Sequence, residues 1–187
     1  RKENMGRVYV FLADGFEEIE GLTVVDILRR AGVDTTTVSV MKDRNIIGSH
    51  QIQIKADACF GDVDFSGGEL LVLPGGMPGS RYLAGHEALG ALLKSYVKDG
   101  KKVAAICAAP GVLGGLGILE GKKAACYPGV EGKLTGAQVL YDEVVRDGNV
   151  TTSRGMGTAI PFALDLVSQM VSPEKAEELK KAIIYLG

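Results

Sequence analysis

The alternation of apolar and polar positions divides the chain into short β-rich runs and longer stretches of helical period. Arg7–Leu12 (RVYVFL) predicts a buried first strand, and EEIEGLTVVDILRRAG after it predicts a helix. That helix has apolar positions at Ile19, Leu22, Val25, Ile27 and Leu28 and a glycine stop at Gly32. DTTTVSV is a second strand, and NIIGSHQIQIKAD reads as a hairpin turning near Gly48-Ser49. Glu69–Gly76 (ELLVLPGG) is a strand ending in a glycine turn, HEALGALLKSYVKDG a helix, and KVAAIC a further buried strand. A short glycine-weakened helix (APGVLGGLGIL), a strand into a turn (KKAACYPG) and two strands joined at Asp147-Gly148 come next. GTAIPFALDLVSQMV and SPEKAEELKKAIIYLG are the closing helices. Pro161 is tolerated early in the first, and the second opens with Ser172 as N-cap and Pro173 at the first position.

This order predicts an α/β sandwich around a largely parallel sheet whose strands are covered on both faces. Ligands of such folds sit beyond the carboxyl ends of the strands. Three strand ends therefore matter: ADGFEEIE, LPGGMPG and ICAAPG.

Length and composition narrow the picture. The 187 residues, 46% apolar and 24% charged, suit one soluble domain, with residues 1–5 read as an unstructured arm or a cloning remnant. A net charge of −2 without a basic cluster argues against nucleic acid, and no apolar run approaches the length of a membrane span. Three cysteines (Cys59, Cys107, Cys126) with no close pair favour a reducing, cytoplasmic setting. The two histidines, His50 and His86, make no metal-spaced cluster, so no metal is expected.

Cys107 leaves a strand and is followed by Ala108, Ala109 and Pro110, small residues that permit a sharp strand-to-helix elbow. A helix N-terminus aimed at the sulfur favours thiolate, and a free cysteine's value of about 8.5 can be lowered there. The competing reading is a small buried hydrophobe. In LPGGMPG there is no Walker lysine. Gly75 or Gly76 could instead offer an N–H that, with the N–H of Ala108, forms an oxyanion hole. Glu17, Glu18 and Glu20 suit a first helical turn on dipole grounds. One facing the pocket under Cys107 would be partly desolvated and a candidate general acid/base.

FLADGFEEIE, DILRRAG, VLPGG, AAICAAP and TSRGMGTAIPFAL occur in an order and spacing, across Val8 to Leu186, that resemble the ThiJ/PfpI superfamily and its DJ-one (parkinsonism-associated) branch. The resemblance implies a flavodoxin-like three-layer sandwich of the class I glutamine amidotransferase-like kind and a homodimer. It implies a nucleophilic, oxidisable Cys107, a pocket Glu20, and oxyanion donors at Gly76 and Ala108. Two positions depart from the pattern. Ala108 stands where the protease-like branch has a histidine, which disfavours a peptidase. Tyr127 stands where many relatives have a pocket histidine; it can bind by donating a hydrogen bond but, with a pKa near ~10, is a poor base. His50 stands in place of the arginine of the dimer-facing hairpin.

The expected activity is cysteine-dependent, glutathione-independent handling of reactive dicarbonyls, of the glyoxalase III or protein deglycase kind, with no cofactor and a small aldehyde or dicarbonyl as substrate. A redox-sensing or chaperone-like stress protein using an oxidisable Cys107 is the alternative, and a small amidohydrolase the second. Arg154 either binds an anion, pins its loop or pairs across a dimer.

Overall fold

The computed structural model describes residues 6–187; the arm expected at 1–5 lies outside the described residues. The elements in order are β1 (Arg7–Leu12), α1 (Glu18–Arg30), β2 (Thr35–Ser39), β3 (Asn45–Ile47), β4 (Gln53–Lys55), β5 (Ala58–Cys59) and β6 (Gly68–Leu73). They continue through α2 (Gly79–Gly85), α3 (Glu87–Lys98), β7 (Lys102–Ile106), α4 (Pro110–Gly115), β8 (Lys123–Ala124) and β9 (Gln138–Val139). The chain ends with β10 (Val144–Asp147), β11 (Val150–Ser153), α5 (Ala159–Met170) and α6 (Pro173–Ala182).

The central sheet has seven strands in the order β10-β11-β7-β6-β1-β2-β5. Every pairing is parallel except that of edge strand β10 with β11. Period-two alternation divides the side chains of β1. Val8, Val10 and Leu12 join one core layer with Val24 and Leu28 of α1 and Phe162 and Leu166 of α5. Tyr9 and Phe11 join the opposite layer with Leu89 and Leu93 of α3 and Leu113 of α4. Phe162 is wholly buried, a side-chain burial that contributes roughly 2–3 kcal/mol. The result is the expected flavodoxin-like three-layer sandwich, with α1, α5 and α6 on one face and α2, α3 and α4 on the other.

Local chemistry sets the element ends. Ser172 caps α6 by accepting the Lys175 N–H at 3.1 Å. His86, expected only to start a helix, caps α3 by accepting the Leu89 N–H on Nδ1 at 3.1 Å. Gly148 takes a positive φ of 59° in the β10–β11 turn. Two differences from the sequence reading stand out. KKAACYPG forms only the two-residue β8, paired with β9 outside the main sheet. The rest of that segment is tied in by the Ala125 N–H on Thr152 Oγ1 (2.8 Å) and the Tyr127 N–H on the Cys107 carbonyl (2.9 Å). Helix α2 and strand β5 follow no legible periodicity, being seven and two residues long.

In sheet order, chain progress reverses at β1: β2 lies on one side of it, β6 and β7 on the other. A crevice at the carboxyl ends of β1, β6 and β7 is where such a sheet accepts ligands. All three strand ends singled out in the sequence meet there. No helix of the described residues is long and apolar enough to cross a membrane.

Candidate active site

Cys107 is the residue immediately after β7, and its backbone occupies the left-handed region at φ 67°. For a residue with a Cβ this conformation costs roughly 1–2 kcal/mol, so the surroundings must enforce it. They do so from both sides. The Cys107 N–H donates to Ser153 O at 3.1 Å, and the Cys107 carbonyl accepts the Tyr127 N–H at 2.9 Å. Ser153 is itself fixed: its hydroxyl bonds Glu143 O at 2.6 Å and Thr158 Oγ1 at 2.7 Å. The elbow read from AAICAAPG is thus present, and it turns the half-buried sulfur out of the strand.

Glu20 lies on the first turn of α1 and is 1% exposed. Its Oε1 accepts the Gly75 N–H at 3.0 Å, and its carboxyl hydrogen-bonds the Cys107 thiol. Burial, which penalises the charged form, raises its pKa to about 7; the negative charge of Glu17 adds to this, while the bonds from Cys107 and Gly75 pull the other way. The thiol is pushed up to about 12, first by burial and then by the charge and hydrogen bond of Glu20. The N–H groups of Ala108 and Gly76 oppose that rise by bonding the sulfur. Two anions cannot share this space, so the pair gives up its first proton as a unit.

This corrects the expectation of a thiol lowered by a helix N-terminus. The following helix, α4, is only six residues long, and its field does not offset desolvation and a neighbouring carboxylate. Activation of the sulfur rests on Glu20 as proton acceptor instead.

The two glycines divide their labour. The Gly75 N–H is committed to Glu20, which leaves the Gly76 and Ala108 N–H groups facing sulfur. Gly75 also has no room for a side chain: a Cβ there would lie 2.6 Å from Cys107 Cβ and 2.6 Å from Glu20 Oε1. Gly76 adopts φ 94°, and a Cβ on it would strike the backbone of Glu17.

Tyr127 is joined to the site through its backbone, while its ring is 49% exposed and packs near Gly155. Cys126 is 3% exposed and belongs to the second core layer, and burial raises its thiol to about 11. Among the described residues no histidine hydrogen-bonds Cys107.

The sequence reading missed a polar cluster beside the site. Glu17 caps α1 by accepting the Ile19 N–H at 3.2 Å. Buried Glu18 turns away from the sulfur, accepting the His50 N–H at 2.8 Å and the Ser49 hydroxyl at 3.2 Å. The ligand atoms of Glu17, Glu18 and His50 lie within 4.8 Å of one another, so among the described residues this is the group with metal-ligand spacing. His50 lies 32 positions beyond Glu18 in the chain, which hid the group from a reading by local spacing. What Cys107, Glu20 and the two N–H groups can do together is general: a nucleophile, an acid/base near neutrality and an oxyanion cradle suit attack on a carbonyl carbon.

A match to the family model described as "DJ-1/PfpI family" spans residues 6–169. Protein DJ-1 homolog B of Arabidopsis thaliana is 38% identical over 95% of this chain and 41% of its own length, so the chain spans about half of that relative. A Caenorhabditis elegans protein named glutathione-independent glyoxalase DJR-1.2 is 36% identical over 89% of both chains. The solved structure of oxidised DJ-1 from Toxoplasma gondii superposes with a TM-score of 0.93 at 33% identity, covering 97% of this chain and 100% of that one. With the elbow, the pocket carboxyl and the fold already in place, this match across most of the sequence shows that the chain belongs to the DJ-1/PfpI family.

Proposed function

We propose that the protein handles reactive dicarbonyls without glutathione, as a glyoxalase III or protein deglycase does, with Cys107 as nucleophile and Glu20 as general acid/base. The observation that carries this reading is the hydrogen-bonded Glu20–Cys107 pair, whose carboxyl titrates at about 7. A base poised near the working pH is the most effective kind. The activity named for the C. elegans relative supports the same reading.

On methylglyoxal, ionised Glu20 takes the thiol proton as the sulfur adds to the aldehyde carbon. The Gly76 and Ala108 N–H groups hold the oxyanion of the resulting hemithioacetal. Glu20 returns the thiol proton to that oxygen and, ionised again, moves the proton from that carbon to the neighbouring carbonyl carbon through an enediol, giving a lactoyl thioester. Water attacks the thioester, releasing lactate and restoring the thiol. The aldehyde carbon is oxidised and the ketone carbon reduced, so the sequence consumes one water and calls for no external redox partner.

Lactate yield from methylglyoxal, measured on wild type, Cys107→Ser and Glu20→Gln, tests this. Turnover by wild type with loss in both variants is the expected result; wild-type rates in both variants refute the mechanism. The three free thiols fit a reducing, cytoplasmic location. Ile19 on α1 (51%) and Ile52 at the β3–β4 hairpin (50%) are exposed apolar side chains, which supports a homodimer contact.

Peroxide sensing is the second reading, favoured by the same carboxyl. A Glu20 that keeps its proton near neutrality can donate to a sulfinate at Cys107, formed with two equivalents of peroxide. Both readings require the same sulfur, so they are compatible.

A further inference from the structure

Cys107 and Arg154 are connected by a single peptide. The Cys126–Tyr127 unit sends its N–H to the Cys107 carbonyl at 2.9 Å, and its C=O accepts the Arg154 Nε–H at 3.4 Å. Since a trans peptide points these two groups in opposite directions, the guanidinium stands roughly 8–9 Å from the Cys107 carbonyl oxygen. The Tyr127 side chain of this unit is exposed, and its ring lies beside Gly155, the residue after Arg154. Arg154 is held as well as placed: it is half-buried, and its guanidinium lies over the Tyr141 ring at 5.4 Å.

The head group is also unsatisfied. Arg7, Arg29, Arg30 and Arg146 each pair with an aspartate. Arg154 has no carboxylate partner among the described residues, and the bond to Cys126 O uses only its Nε, leaving the terminal nitrogens free. A half-buried, pre-positioned guanidinium without a counter-charge is suited to a planar anion, which it grips with two parallel hydrogen bonds. Glu17 and Glu20, close to the nucleophile, favour a monoanion over a phosphate dianion in this crevice.

We propose that Arg154 binds a substrate carboxylate, so that the favoured dicarbonyls are α-oxoaldehydes ending in a carboxylate rather than methylglyoxal itself. This inference rests on the dicarbonyl reading above and names the substrate class for it. A matching compound is dioxopentanoate, OHC–CO–CH2–CH2–COO−. Its aldehyde would meet the sulfur and its carboxylate Arg154, with the two methylenes spanning the interval between them. The chemistry is that described for methylglyoxal: the aldehyde carbon is oxidised, the ketone carbon reduced and one water consumed, giving hydroxyglutarate.

The test compares kcat/KM for dioxopentanoate with that for methylglyoxal in wild type, Arg154→Gln and Arg154→Lys. The ratio is expected to fall roughly 10- to 100-fold in the Gln variant, the loss of a charge-assisted hydrogen-bonded pair, and to recover in part in the Lys variant. An unchanged ratio overturns the assignment, as does a change of oligomeric state with the ratio intact, which would put Arg154 in a subunit contact. A second readout needs no turnover: protection of Cys107 from iodoacetamide by 4-oxopentanoate, a monoanion without the aldehyde, followed by mass spectrometry. Should wild type convert neither aldehyde, the dicarbonyl reading fails and 4-oxopentanoate decides the Arg154 question alone. Protection in wild type that is lost in Arg154→Gln sustains the carboxylate site; protection equal in both, or absent from both, refutes it.

Discussion

Glu20 and Cys107 share a hydrogen bond inside a site where burial keeps a proton on both; the carboxyl raises the thiol further, while the thiol's bond pulls the carboxyl back down. Burial lifts both groups, and the backbone N–H groups are distributed unequally between them: Gly75 on the carboxyl, Gly76 and Ala108 on the sulfur. The site therefore behaves as one acid with two seats for the remaining proton, not as an independently acidic thiol.

A pH dependence of activity follows. Since ionised Glu20 is the acceptor for the thiol proton, kcat/KM rises with pH through an inflection near about 7. Glu20→Gln removes that inflection and lowers the rate by two or more orders of magnitude, on the order of what general-base loss costs. A pH series on both proteins measures it.

The same carboxyl makes stability depend on pH. In the unfolded chain a glutamate titrates near about 4.3, whereas folded Glu20 is raised to about 7. Below the unfolded value the carboxyl is neutral in both states and costs nothing. As pH rises through the folded value, burying an anion costs stability that Glu20→Gln does not lose. The variant is therefore more stable than wild type by roughly 3 kcal/mol above neutrality, with the gap closing below about pH 4. Urea melts at pH 4 and pH 8 check the sign.

Strain at the elbow gives a third expectation. Cys107→Gly removes the side chain that makes φ 67° costly, whereas Cys107→Ala keeps a Cβ. The Gly variant should be more stable than the Ala variant by about 1 kcal/mol, the reverse of the usual order in regular structure. Thermal melts of the two, both lacking the thiol, isolate the backbone effect.

Gly75 is expected to tolerate no side chain. Gly75→Ala puts a methyl 2.6 Å from Cys107 Cβ, 2.6 Å from Glu20 Oε1 and 2.9 Å from Ile106 O, so sulfur and carboxyl must separate. Overpacking of this kind costs roughly 1–3 kcal/mol, and the inflection near pH 7 should move or vanish in any folded fraction.

Peroxide should discriminate among the three thiols. Cys107 is half-buried at the end of its strand, whereas Cys126 is packed in the core. Mild oxidation followed by peptide mass spectrometry is expected to find sulfinate at Cys107 ahead of Cys59 and Cys126. Even oxidation of the three contradicts the sensing reading.

The sequence made the parallel strands and the elbow legible because both are local signals. Val8–Leu12 is an uninterrupted apolar run that fills β1 after Arg7, and Cys107 is followed by the small residues that a sharp turn needs. Helical position left Glu17, Glu18 and Glu20 open and the family resemblance singled out Glu20, but its partner could not be read, since Gly75 lies 55 positions further on. The sign of the thiol shift was misjudged because a helix N-terminus is visible in a sequence and desolvation is not. The Glu18–His50 contact and the peptide bridge from Cys107 to Arg154 are tertiary, joining segments that no period or motif connects.

The most direct test of the Glu20–Cys107 pair is the pH profile of Cys107 alkylation by iodoacetamide, measured on wild type and on Glu20→Gln. Wild type is predicted to show a rise in rate with an inflection near about 7, where Glu20 ionises and begins to accept the thiol proton. The variant is predicted to lack it and to react only at alkaline pH. Superimposable profiles from the two proteins would mean that the carboxyl does not govern the sulfur.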